Sequence, residues 1–134
     1  MDTSDFIGSV AQRSGASPEQ AIELTAATLT TLAERIDGGE ARDLASQLPE
    51  GIRPYASAPS EAAERFGLDV FLSRVSGRAA VDATLAKAGV RAVFDTLRET
   101  VTPGEYDDVI GQLPAELYEV AVPTAPFDAQ RSRG

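Results

Sequence analysis

The sequence predicts an all-α protein in which a unit of three to four helices occurs twice and the two halves pack as one pseudo-twofold helical bundle. Three observations predict it. The chain matches itself without gaps at a shift of 65 residues, so that "DLASQLPEGI" from Asp43 to Ile52 returns as "DVIGQLPAEL" from Asp108 to Leu117. Self-similarity at one fixed spacing is what a duplicated structural unit leaves in a sequence. Apolar residues recur every three or four positions, the period of one helix face, and glycines, prolines and capping residues fall between the periodic stretches.

The match runs through most of the chain. Phe6 falls on Phe71, Val10 on Val75, Arg13 on Arg78, Ala21 on Ala86 and Ala27 on Ala92. Thr31, Leu32 and Glu34 fall on Thr96, Leu97 and Glu99, and Gly39 and Glu40 on Gly104 and Glu105. The expected organisation is a single domain over residues 1–122, with repeats over about 5–55 and 70–120. A proline and alanine linker over 56–69 is expected to turn helical from Ser60, and the tail over 123–134 to be disordered because it has little to bury.

In the first unit Phe6, Ile7 and Val10 form a short stripe that Gly15 ends. "SPEQ" restarts a helix: Ser17 is a good N-cap, Pro18 suits the first helical position and Gln20 stands where a capping box needs it. Ile22, Thr25, Leu29, Leu32 and Ile36 then predict a long amphipathic helix, with Gly38 and Gly39 as the following turn. Ala41, Leu44, Ala45 and Leu48 face inward on a short helix that Pro49 stops, and "EGIRPY" closes the unit with a half-turn or short helix. The second unit repeats the plan. "GLDVFLSRV" is its first helix, Asp82 its cap, and Leu85, Val90, Val93, Phe94 and Leu97 the face of its long helix. "TPGE" is the expected turn, Tyr106, Val109, Ile110 and Leu113 the inward positions up to Pro114, and "AELYEVAV" the closing segment. Gln47 and Gln112, beside the prolines, are expected to bond the freed backbone carbonyls.

Composition excludes much chemistry. With neither cysteine nor histidine, the chain has no thiolate nucleophile, no disulfide, no imidazole base and none of the usual zinc or haem ligands. The formal charge of -9 is spread over both halves, with nine acidic and four basic residues up to Tyr55 and twelve and eight beyond it. Such a surface repels phosphate backbones and anionic lipid, so no nucleic-acid or membrane partner is expected. The acidic start "MDTSDFIGSV" lacks the basic and apolar character of a secretory signal, and no window is apolar enough for a membrane span. A cytoplasmic location follows as the expectation. There is no "GxxxxGK" or "GxGxxG" phosphate loop.

The order of an early "F..V", a long helix of Ala, Thr and Leu, a "GE" pair and then "QLP", given twice, resembles the bacterial and archaeal domain of unknown function 2267 (DUF2267). The resemblance covers Asp5 to about Val120 and is most specific where Gln47 follows Glu40, and Gln112 follows Glu105, by seven residues. It implies a small all-helical domain without an established activity.

Glu40 with Asp43, and Glu105 with Asp108, place two carboxylates one turn apart in each unit, and twofold packing would bring all four together as an oxygen-ligand site. The favoured reading is plainer: acids in the first turn of a helix complement its dipole and stay in solvent. On that reading magnesium, calcium or manganese leaves the melting temperature unchanged. Arg13 with Arg78 and Glu34 with Glu99 are read as ion pairs that orient the units, and Tyr55, Tyr106 and Tyr118 as half-buried core residues. Arg91 and Arg98, seven residues apart on one helix, either receive an acidic partner segment or pair with the chain's own carboxylates. No catalytic, cofactor-binding or metal-ligating residue is assigned, and no cofactor. The function expected is a non-enzymatic protein-interaction module with an unknown protein partner; the alternative is a small-ligand or divalent-metal-binding domain using acids where the units meet.

Overall fold

Every α-helix but one starts at a side chain that caps it. In the computed structural model, which describes residues 1–117, α1 (Thr3–Ser14) is opened by a capping box between Asp2 and Asp5. It closes at Gly15, whose φ of 78° is the left-handed conformation that glycine adopts without steric cost. The Ser17 and Gln20 box with Pro18 at the first position opens α2 (Pro18–Arg35), as the sequence predicts. Asp37 caps α3 (Gly38–Ser46), and a 3-10 helix (Glu50–Ala56) follows Pro49. In the second half α4 spans Leu68–Ala79, α5 Ala83–Thr100 and α6 Pro103–Ile110, followed by a second 3-10 helix over Ala115–Leu117. Asp82 and Thr102 cap α5 and α6, while Gly67 before α4 offers no side chain. All secondary structure among the described residues is helical. Each element of the second half begins 65 residues after its counterpart, as Thr3 and Leu68, Pro18 and Ala83, Gly38 and Pro103 show.

The halves are interleaved. α1 and α4 each pack on both long helices, most closely on that of the other half (α1 on α5, α4 on α2), and α2 and α5 cross each other. Phe6, Val10, Leu29 and Leu32 are buried together with Phe71, Val75, Val93, Phe94 and Leu97 in one continuous core. At the crossing, Leu24 fills the space that a side chain on Gly89 would need: a Cβ there would stand 2.5 Å from Leu24 Cδ2. Leu48 and Leu113 are both buried, as expected of core anchors.

Four expectations are corrected. Gly38 and Gly39 form the first turn of α3, and "TPGE" opens α6; the turns themselves are the residues at Ile36–Asp37 and Val101–Thr102. The linker forms no helix from Ser60, and α4 begins only at Leu68. Its backbone is bonded elsewhere: the Gly38 N–H donates to the Glu61 carbonyl, Glu64 N–H to the Glu34 carbonyl, and the buried Arg35 guanidinium to the Phe66 carbonyl. Ile22 is 46% exposed although it fits the helical stripe, because Ala21 and Leu24 take the inward positions of that turn. Gln47 and Gln112 bond backbone N–H groups of the opposite half, described below, in place of carbonyls of their own. The expected disordered tail, and Tyr118 with the rest of the closing segment, lie outside the described residues.

Candidate functional site

The paired acids meet where α3 and α6 begin. Two glutamines bring these helix starts together. Gln47, at the end of α3, accepts a 2.7 Å hydrogen bond from the N–H of Thr102, the N-cap of α6. Gln112, just beyond α6, accepts one of 2.8 Å from the N–H of Asp37, the N-cap of α3, and its amide donates back to the Asp37 carboxylate at 2.9 Å. Each short helix is thus held at its N-terminus by a side chain from the end of the other, which satisfies donors that no intrahelical acceptor reaches.

Glu40 and Glu105 stand three residues inside these N-termini, where helix dipoles favour negative charge. One carboxylate oxygen from each of Glu40, Asp43 and Glu105 lies within 4.8 Å of the other two. Asp108 is exposed and does not join this group, although its charge acts on Glu105. The expectation that all four acids stay in solvent fails for Glu105, which is only 7% exposed. Its Oε2 and that of Glu40 are buried without a hydrogen-bond partner among the described residues. Burial first, then the Glu40 carboxyl beside it and the charges of Asp43 and Asp108, push the Glu105 carboxyl up to about 8.

The other repeated charges are structural ties. Arg13 on α1 pairs with Glu99 on α5. On the opposite side Arg78 and Arg74 of α4 grip Glu34 of α2 at 2.8 and 2.7 Å. Arg91 and Arg98 act, with Arg13, on the half-buried Asp95 between them. Arg35, placed by sequence reading among the outward positions of its helix, is instead buried, and its guanidinium donates to the carbonyls of Phe66 and Gln112, linking the linker to the residues just beyond α6. Its counterpart 65 residues on is Thr100, so the repeat gives no signal for it. Tyr106 is buried and burial raises its phenol, whereas Tyr55 is 38% exposed.

A second feature is an apolar groove of about 590 Å³ between α1, the start of α2 and the first 3-10 helix. Ile7, Ala11, Pro18, Ile22, Ile52 and Tyr55 supply most of its wall, and it contains no ionisable group besides the Tyr55 phenol. Among the described residues no helix is long and apolar enough to cross a membrane.

Among the described residues, these features include an acidic cluster and an apolar groove within an all-helical fold. The model of a family described as an uncharacterized conserved protein (DUF2267) matches residues 3–120, and the chain belongs to that family. No curated protein matches it.

Proposed function

We propose that the protein is a non-enzymatic helical module that receives an apolar segment of a protein partner in the groove formed by α1, α2 and the first 3-10 helix. The observation that carries this reading is Ile22. It is exposed on the groove wall, and the residue 65 positions on, at the same place in α5, is the exposed Lys87. A lysine serves the fold equally well there, so the isoleucine is not required by packing. An exposed apolar side chain beside a half-exposed tyrosine is the composition of a recognition surface. The groove lacks carboxylates and bases, which favours binding over catalysis.

The same reading includes a duplicated unit related by a pseudo-twofold axis, for which the offset helix bounds and the exchanged partners of α1 and α4 speak. It also includes a cytoplasmic protein without nucleic-acid partners, in keeping with the formal charge of -9. The test is affinity capture with purified wild type and Ile22→Lys, followed by photo-crosslinking from position 22. The expected result is a partner captured and crosslinked by the wild type and lost from Ile22→Lys at an unchanged melting temperature. Capture that survives the lysine places the partner elsewhere.

A further inference from the structure

We infer that Glu40, Asp43 and Glu105 form a binding site for a hard divalent cation, with calcium the best fit, joining the N-termini of α3 and α6. The ligand set is all oxygen, which suits calcium, magnesium or manganese and disfavours softer metals. Burial separates this cluster from ordinary surface acids. Glu105 is 7% exposed, its Oε2 has no donor among the described residues, and the oxygens it faces belong to two more carboxylates. No hydrogen lies between two ionised carboxylates, so the arrangement calls for a cation or for a captured proton. Oxygens within 4.8 Å of one another fit around calcium or magnesium, and calcium is favoured because it accepts irregular, water-completed shells where magnesium demands a near-ideal octahedron.

The site is also well supported. Glu40 and Asp43 are one turn apart on α3, and the cross-half bonds from Gln47 and Gln112 fix the start of α6 against it. The exposure of Asp43 provides an entry path and room for water to complete the coordination shell. Asp108 adds negative charge nearby without occupying a ligand position.

The experiment uses the full chain, stripped with chelator and held at constant ionic strength, so that screening of the acidic surface is the same in every sample. Calcium, manganese and magnesium chloride are titrated against the melting temperature and by calorimetry. The expected result is a saturable rise of roughly 10 °C with calcium at a hundredfold excess over Kd, with magnesium weaker. Asp43→Asn, at an exposed position, is expected to weaken calcium binding by about tenfold or more. Glu105→Gln is expected to abolish the rise while raising the melting temperature of the metal-free protein at pH 8, since it removes a buried charge from among like charges; that second change shows that the variant folds. Absence of a saturable response to all three ions overturns the proposal and leaves the captured proton as the occupant. A response undiminished in Asp43→Asn and Glu105→Gln overturns it as well.

Discussion

At the scale of single residues, the comparison of positions 65 apart isolates what each side chain contributes. Gly15 and Ala80 end α1 and α4 in the same left-handed conformation, with φ of 78° and 57°. Alanine pays a steric cost there that glycine does not, and Ala80 is exposed, so its methyl group packs on little. Ala80→Gly is expected to stabilise the protein by about 1 kcal/mol, read from urea denaturation. Glu34 yields a pH prediction. Burial raises its carboxyl, but hydrogen bonds and charge from Arg78 and Arg74 outweigh it and hold the group below its ordinary value of 4.5. The native state therefore binds fewer protons than the unfolded one, and the stabilisation is complete above the unfolded value and lost as pH falls through the folded one. The stability difference between wild type and Glu34→Gln should be full at pH 7 and close progressively as the pH falls below 4.5. Residue types and caps were readable in advance at Ser17, Gln20 and Asp82. The burial of Glu105 was not, since a glutamate in a first helical turn looks the same in sequence whether it faces water or another helix.

At the scale of elements, the starts of α2 and α5 are legible because a cap is local chemistry, written in four or five consecutive residues, whereas the starts of α3 and α6, capped by Asp37 and Thr102, read as turns. The linker was not legible. Ser60 and the alanines after it have the composition of a helix, yet partners distant in sequence, namely Gly38, Glu34 and Arg35, take up its backbone groups. The partners of Gln47 and Gln112 in the "QLP" motif escape the sequence for a similar reason: glutamine carries both a donor and an acceptor, and only the packing of α3 beside α6 selects the acceptor. The two glutamines are unequal. Gln47 makes one bond across the halves with its side chain, whereas the Gln112 side chain makes two. Gln47→Ala should cost about 1 kcal/mol and Gln112→Ala about 2 kcal/mol, measured by thermal or urea unfolding. Equal losses would mean that the second bond, to the Asp37 carboxylate, adds nothing in water.

At the scale of the whole molecule, α1 and α4 each lie against both long helices, and no pattern in the sequence announces that. α1 on α5 and α4 on α2 make the fold depend on contacts far apart in sequence, such as the hydrogen bond between the Ser9 and Thr96 hydroxyls. The groove and the acidic cluster follow from this arrangement: the first uses the outer side of one half, the second the seam between both.

The contact of Leu24 with Gly89 carries a consequence of its own. The two positions are 65 residues apart and touch each other, so each meets its own equivalent. Two copies of the first half, paired in the same way, would press leucine on leucine; two copies of the second would set glycine opposite glycine and leave a void. Only the unlike pairing fills the space once. On the twofold arrangement proposed above, the halves are not interchangeable at this contact: neither could serve as its own mate without a compensating change there.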